Sequence, residues 1–266
     1  MKRSLILFSI LAIVLCSCAD SGREPEITLQ TTSEEQNFTE PIPEATAATT
    51  ELTKPPHSDL CHPDYTLQQI QEYFEEVVLD VEYSDGVGDA SLVQKWKEPI
   101  LYRFFGTPTE EDQEVLESFF EQLNEIEGFP GIFPAKEEAV ENLRISFLEP
   151  NVFRDSFSSV VNGENAFGAT EFWYYTDTNE IYSARIGYRT DLDQITRNSI
   201  LLEEIVNTLG ISDTLIREDS ITYQYSNENL ILSDVDWILL KLLYHPEIQC
   251  GMDREACEAV ISKLYS

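Results

Sequence analysis

The chain has 266 residues, which is enough for one or two domains with a sizeable core. It carries 49 acidic and 17 basic residues, and its net charge is therefore −32. So acidic a chain repels polyanions, and this argues against nucleic acids and anionic lipid surfaces as ligands.

The first residues have the pattern of a bacterial lipoprotein signal. A short basic start precedes an apolar run over residues 4–16, which is too short for a comfortable membrane span. Leu15, Cys16, Ser17 and Cys18 then resemble a lipobox, with an aliphatic residue at −3, a small one at −1 and Cys at +1. We predict a signal peptide over residues 1–17. The resemblance implies that Cys18 carries a lipid anchor on the extracytoplasmic face of a bacterial cell membrane.

Residues 18–60 are predicted to be a disordered linker behind that anchor. They are rich in Thr, Glu, Pro and Ser and poor in large apolar side chains. Such a segment cannot bury enough apolar surface to offset the entropy lost on ordering. The globular domain is therefore assigned to residues 61–266.

Three cysteines remain in that domain, at Cys61, Cys250 and Cys257. Disulfides persist outside the cell, so these three are disulfide candidates, and their odd number leaves one thiol free. A bond from Cys61 to either of the others would join the two ends of the domain. The sequence does not choose between these pairings.

The first half of the domain is predicted to contain two helices and several short strands. Thr66 and Thr109 each begin a helix as a capping residue. Strands are expected over residues 100–105 and 142–148, and residues 149–166 are predicted to be a loop. Two further alternating segments, 167–175 and 180–189, predict a hairpin.

The second half is predicted to be helical. Asp193 precedes a helix that Gly210 ends, and its core face is expected to comprise Ile195, Leu202, Ile205, Val206 and Leu209. Ser233 begins a very apolar helix that stops at Pro246, and a last helix covers residues 254–264. A few strands followed by helices, without regular βα alternation, predict an α+β fold with a small, mostly antiparallel sheet.

The central helix has the spacing of a zinc-protease site. In the metzincin pattern H-E-x-x-H-x-x-G-x-x-H/D, two ligands one turn apart and a general base precede a glycine and a third ligand. The positions that fall on this pattern are Glu203 (first His), Glu204 (base), Asn207 (second His), Gly210 (the glycine) and Asp213 (third ligand). The resemblance implies a zincin-like, or metzincin-like, domain.

The body of the chain also resembles an uncharacterised family of bacterial lipoproteins over roughly residues 95–260. The resemblance is carried by Arg197, Glu203, Glu204, Leu209, Gly210, Asp213, Ser220, Ile221, Leu232, Asp236, Leu243, Tyr244 and Pro246.

The histidines that would bind zinc are missing. The chain has three histidines, and none has a partner four residues away. We therefore expect no metal and no other cofactor, and Glu204 is the one candidate for a catalytic residue. Glu203, Asn207, Gly210 and Asp213 are interpreted as the vestige of a site. We expect Glu203 and Glu204 to be surface carboxylates or carboxylates of the N-terminal half of the helix, with Glu204 paired to a buried arginine such as Arg197 or Arg185.

Two functions remain. The first is a membrane-anchored extracytoplasmic lipoprotein whose metalloprotease-like domain is catalytically degenerate. It would act as a binding or structural module of the cell envelope, with a peptide or protein partner in the cleft. The alternative is a hydrolase in which Glu203 and Glu204, or Glu204 and Asp213, act as acid and base without a His–zinc site.

Overall fold

A computed structural model describes residues 60–79, 92–160 and 166–265, together with the backbone of residues 8–10. The predicted lipobox residues, Cys18 and the linker up to residue 59 lie outside these described residues. Within them, every helix is too short or too polar to cross a membrane.

The helices of the described residues begin largely where the sequence places capping residues. Their bounds are α1 Leu67–Phe74, α2 Glu110–Leu123, α3 Pro150–Ser156, α4 Gln194–Thr208, α5 Asp234–Tyr244 and α6 Arg254–Leu264. A π-helical turn, Glu75–Leu79, continues α1. The predicted caps at Thr66, Thr109 and Ser233 are confirmed, since each side chain accepts a hydrogen bond from the third residue of its helix.

The strands described form one sheet. Their bounds are β1 Phe8–Ile10, β2 Lys95–Trp96, β3 Ile100–Gly106, β4 Ile132–Pro134, β5 Leu143–Leu148, β6 Gly168–Tyr174 and β7 Glu180–Arg189. The order is β1-β6-β7-β5-β3-β4, and β2 pairs with β7. The α+β class is confirmed, and β2 and β4 are short strands that the sequence pattern does not predict.

The sheet is mostly parallel, so the prediction of a mostly antiparallel sheet is wrong. The pairs β2–β7, β3–β4, β3–β5 and β5–β7 are parallel, whereas only β6–β7 and β1–β6 are antiparallel. The reason lies in the connections. Between β3 and β4 the chain returns through α2, and β4 and β5 both run parallel to β3. Between β5 and β7 the chain passes through α3 and then through β6, which runs in the opposite direction, so β7 is again parallel to β5.

The predicted loop over residues 149–166 is partly wrong, because it contains α3. Pro150 occupies the first turn of this helix, where its missing N–H costs nothing. Phe153 and Phe157 stack with ring centroids 5.6 Å apart and belong to a small second core with Val160, Ala166 and Ala169. Through α3 this cluster lies against β7 and β5.

The main core lies on the other face of the sheet, where α4 packs against β6, β7 and α2. Leu202, Ile205, Val206 and Leu209 of α4 are fully buried there, as predicted. Ile195 is not part of that face, because its side chain is 67% exposed. The prediction for Ile195 is wrong because it lies in the first turn of the helix, ahead of the region that the sheet covers.

The two ends of the described domain meet through hydrogen bonds. Tyr265 Oη donates to the carbonyl oxygen of Tyr65 at 2.8 Å, and Cys61 Sγ lies 3.3 Å from the carbonyl oxygen of Tyr265. Cys61, Cys250 and Cys257 are free thiols in this structure, exposed, half-buried and buried respectively. The closeness of the two ends therefore does not depend on a disulfide.

Candidate functional site

A stripe of polar side chains on α4 is buried. Glu203 is 3% exposed, Glu204 is 1% exposed and Asn207 is fully buried. The expectation that the two carboxylates lie on the surface is wrong. Both carboxyl groups are buried because other elements cover α4 on several sides, so even its polar face contacts protein rather than water.

Glu204 packs directly against β6. Thr170 Oγ1 donates a hydrogen bond to Glu204 Oε2 at 2.6 Å, and also lies 3.1 Å from the backbone oxygen of Glu204. Strand and helix approach so closely that a Cβ atom on Gly168 would lie 2.5 Å from Glu204 Oε1. Only glycine leaves room there for the carboxyl group.

The arginines expected to pair with Glu204 bind other carboxylates. Arg197 Nε donates to Asp112 Oδ1 at 2.7 Å, and both side chains are buried. This pair joins the first turn of α4 to α2. Arg185 forms an ion pair with Glu171, on the β6 face opposite to α4. The predicted pairing of Glu204 with Arg197 or Arg185 is therefore wrong.

The turn after α4 depends on Gly210. This residue has φ +100°, in the left-handed region that favours glycine, and a Cβ atom there would lie 2.2 Å from the carbonyl oxygen of Gln94. The close approach of these two backbones lets the chain reverse at the end of the helix.

The reversed chain carries Asp213 back to α4. Asn207 Nδ2 donates to Asp213 Oδ1 at 3.1 Å. Ser212 fixes the turn on its other side, where its backbone N–H and its hydroxyl both donate to the carbonyl oxygen of Val77, at 2.7 and 3.0 Å. Glu76 accepts from the hydroxyl of Thr214 at 3.0 Å, so the π-helical turn also holds this segment.

The structure thus brings the site residues of the sequence pattern into one region. Glu203, Glu204 and Asn207 lie on α4, Gly210 turns the chain, and Asp213 contacts Asn207.

The carboxyl groups in this region all have raised pKa values. Burial raises the pKa of Glu203 well above its usual range, and the carboxylates of Asp213 and Glu204 raise it further. Burial raises the pKa of Glu204 to about 8, opposed by the Thr170 hydrogen bond, and Asp213 adds to the rise. Burial also raises the pKa of Asp213 to about 7, against the hydrogen bond from Asn207. Near neutral pH Glu203 and Glu204 are therefore mostly protonated, whereas Asp213 is close to the midpoint of its titration.

Several oxygens of the region are acceptors without donors. Glu204 Oε1, Asn207 Oδ1 and Asp213 Oδ2 are buried and have no hydrogen-bond partner among the described residues. Across the same part of the chain, no three His, Cys, Asp or Glu side chains are grouped so that they could hold a metal ion. His62 lies 3.4 Å from Asp234, and His245 ends α5.

A second buried polar cluster lies at the N-terminal end of α5. Asp236 Oδ1 accepts from Ser220 Oγ at 2.6 Å, and Asp236 Oδ2 accepts from the N–H of Ile221 at 3.0 Å. Asp236 and Ser220, together with Val206 and Arg217, line a small cavity that has room for about one water molecule. In the sequence, Ser220, Ile221 and Asp236 were recognisable only as residues that carry the family resemblance.

Gly168 and Thr170 were missed altogether. The signal for them was a glycine and a threonine in a strand whose neighbours are mostly apolar.

The outer edge of β6 carries backbone groups directed away from β7. The N–H of Arg189 donates to the carbonyl oxygen of Phe167, so the hydrogen-bonded pairs of this hairpin involve the odd-numbered residues of β6. The N–H and carbonyl groups of Thr170 and Phe172 therefore point away from β7. There they face Ile10 and Phe8 of β1, which pair with them in antiparallel register.

A comparison with protein families finds that a family described as "Protein of unknown function (DUF2927)" matches residues 67–263. The chain belongs to this family. No curated protein matches the chain.

Proposed function

We propose that this member of the DUF2927 family is a lipid-anchored lipoprotein on the extracytoplasmic face of a bacterial membrane. Its zincin-like domain is catalytically degenerate, and it binds an extended segment of a cell-envelope partner along β6. The lipobox-like residues before Cys18 support the anchor. The metzincin-like spacing of Glu203, Asn207, Gly210 and Asp213 supports the fold.

The observation that carries the binding function is the edge of β6. Sheets commonly protect their edges with proline, charged side chains or bulges. Between Gly168 and Phe172 the only charged residue is Glu171, and its side chain is buried against Arg185. The bulge comes later, at Trp173 and Tyr174.

The segment that pairs with this edge belongs to the predicted signal peptide. Phe8–Ile10 lies within residues 1–17, which processing at Cys18 would remove. The backbone groups of Thr170 and Phe172 would then lack their partner strand. A strand from another protein restores those hydrogen bonds, which is the principle of β-strand addition.

Catalysis is disfavoured by the placement of the carboxyl groups. A general base must reach the proton that it removes, directly or through one water. Glu204 instead binds Thr170 and lies against Gly168, under β6.

Backbone N-methylation of a peptide tests binding at the edge. The probe is a peptide of residues 5–13 with lysines added at both ends, titrated against the processed chain and followed by fluorescence. Methylation of the Ile10 nitrogen removes a donor that faces β6, so we expect about tenfold weaker binding. Methylation at Ser9, whose N–H faces away, is the matched control and leaves the affinity unchanged. Equal affinities for the two methylated peptides would refute binding at this edge.

The anchor has its own test. Mass spectrometry of the N-terminal peptide of the membrane-extracted protein is expected to show an acylated Cys18. A mature N-terminus elsewhere, without lipid, would refute the lipoprotein assignment.

A second candidate function is a hydrolase that uses Glu204 and Asp213. The observation in its favour is that their pKa values of about 8 and about 7 are close to neutral, as acid–base catalysis requires. Hydrolysis of a peptide or ester library that Glu204→Gln abolishes, while the variant keeps its fold, would establish this function. Without such activity the binding function stands.

A further inference from the structure

We infer that residues 211–217 form a proton-controlled latch. The segment closes on α4 while the carboxyl groups that meet there carry protons, and it opens when they lose them. This inference concerns regulation and does not depend on which partner the edge of β6 binds.

The closed arrangement lacks hydrogen-bond donors. The three unpartnered oxygens belong to Glu204, Asn207 and Asp213, and all three are buried. A carboxylate has no hydrogen-bond donor of its own, and the side-chain amide of Asn207 already donates one hydrogen bond to Asp213. Only a proton on a carboxyl group adds a donor here without admitting another molecule. Burying such acceptors unpaired destabilises the closed arrangement.

Among the described residues, no positively charged side chain influences the carboxyl groups of this region. The influences that set the pKa values of Glu203, Glu204 and Asp213 are burial, one another's charges and hydrogen bonds from Thr170 and Asn207. The neighbouring ionisable groups are engaged elsewhere: Tyr188 of β7 with Leu201, Asp112 of α2 with Arg197, Arg217 with Asp219, and Glu76 of the π-helical turn with Thr214. Two carboxylates this deeply buried therefore repel each other without compensation.

The repulsion is relieved on the side that can move. α4 is fixed by the sheet and by the ion pair between Arg197 and Asp112. Asp213 is half-buried, whereas Glu203 and Glu204 are fully buried. Asp213 can therefore reach water by a change in its own segment, with Gly210 as the flexible residue behind it. The bonds that would open are those from Asn207 to Asp213 and from Ser212 to Val77.

A π-helical turn lies where the latch rests. Such turns occur mostly as single turns within α-helices and often at functional sites. Here the turn Glu75–Leu79 offers the carbonyl oxygen of Val77 to Ser212 and the carboxylate of Glu76 to Thr214. The latch thus has a defined closed position.

Hydrogen exchange of the processed full chain tests the latch. Exchange is measured at pH 5.5 and pH 8.5 and corrected for the intrinsic rates. For the wild type we expect protection in residues 211–217 to fall at least tenfold at the higher pH, while α6 stays protected. Asp213→Asn, which removes the titrating group, is expected to stay protected at both pH values. Glu218→Gln is the matched control, because Glu218 is exposed in the same segment, and it should open like the wild type.

Equal protection of the wild-type segment at the two pH values would overturn the latch, and so would opening of Asp213→Asn. Loss of protection in α6 together with residues 211–217 would also overturn it, because the event would then be global unfolding. If Asp213→Asn does not fold, Glu204→Gln takes its place, with the same expected protection and the same overturning result.

Discussion

Replacement of Gly210 by alanine tests the turn that builds the site. The left-handed backbone at φ +100° costs an alanine about 1–2 kcal/mol. The new Cβ would also lie 2.2 Å from the carbonyl oxygen of Gln94, so two backbone segments must separate. Overpacking of this kind adds about 1–3 kcal/mol. We therefore expect Gly210→Ala to lower the free energy of unfolding by about 2–5 kcal/mol.

Gly251→Ala is the matched control for this variant. Gly251 has φ +80°, but its nearest neighbour at an added Cβ is the side-chain nitrogen of Asn179, at 3.3 Å. We expect a loss of only about 1–2 kcal/mol there. The free energy of unfolding of both variants is measured by urea denaturation with tryptophan fluorescence as the signal. Trp96 is a suitable probe because its buried indole N–H donates to the carbonyl oxygen of Thr208 at the end of α4. Equal losses in the two variants would refute the close approach at Gly210.

Three further predictions concern the ion pair, the buried carboxyl groups and the thiols. Arg197→Met should destabilise the fold by about 3–5 kcal/mol in urea denaturation, because Asp112 loses its buried partner. The double variant with Asp112→Leu should recover most of this, and additive losses would contradict the pairing. In the folded state Glu204 keeps its proton up to about pH 8, whereas in the unfolded chain it loses the proton near its ordinary pKa. The free energy of unfolding therefore falls as the pH rises between these two pKa values. Between about pH 5 and 8 the unfolding free energy of the wild type should fall more steeply than that of Glu204→Gln, by about 1.4 kcal/mol per pH unit, and equal slopes would count against the raised pKa. In the native protein, iodoacetamide should label the exposed Cys61 quickly and Cys257 only after unfolding, because burial raises the pKa of the Cys257 thiol to about 11; an unlabelled Cys61 would reveal a bond to it.

Local features of the fold were predictable from the sequence because they depend on neighbouring residues. Thr66, Thr109 and Ser233 cap helices through contacts three residues away. Gly210 likewise ends α4 because it can adopt a backbone conformation that other residues avoid. The direction of the strands was not predictable in this way. The hairpin β6–β7 indicated antiparallel pairing, whereas the pairs β2–β7, β3–β4, β3–β5 and β5–β7 are parallel because of longer connections that the local pattern does not report.

The positions of the candidate site were predictable, but their environment was not. The spacing of Glu203, Asn207 and Asp213 follows from the helix period and the turn. Their burial depends on which elements pack around α4. Helix periodicity identifies the apolar face of a helix but does not show whether other elements cover its polar face. The partner of Glu204 was missed for the same reason, because Thr170 comes from a strand 34 residues earlier in the chain.

The proposed function includes the claim that the domain is catalytically degenerate and uses no catalytic metal. Elemental analysis of the processed protein, purified without chelators, combined with a peptide-hydrolysis assay, tests this claim most directly. We predict no stoichiometric zinc and no hydrolysis that a chelator inhibits. One zinc ion per chain, with hydrolysis that a chelator abolishes, would contradict the claim.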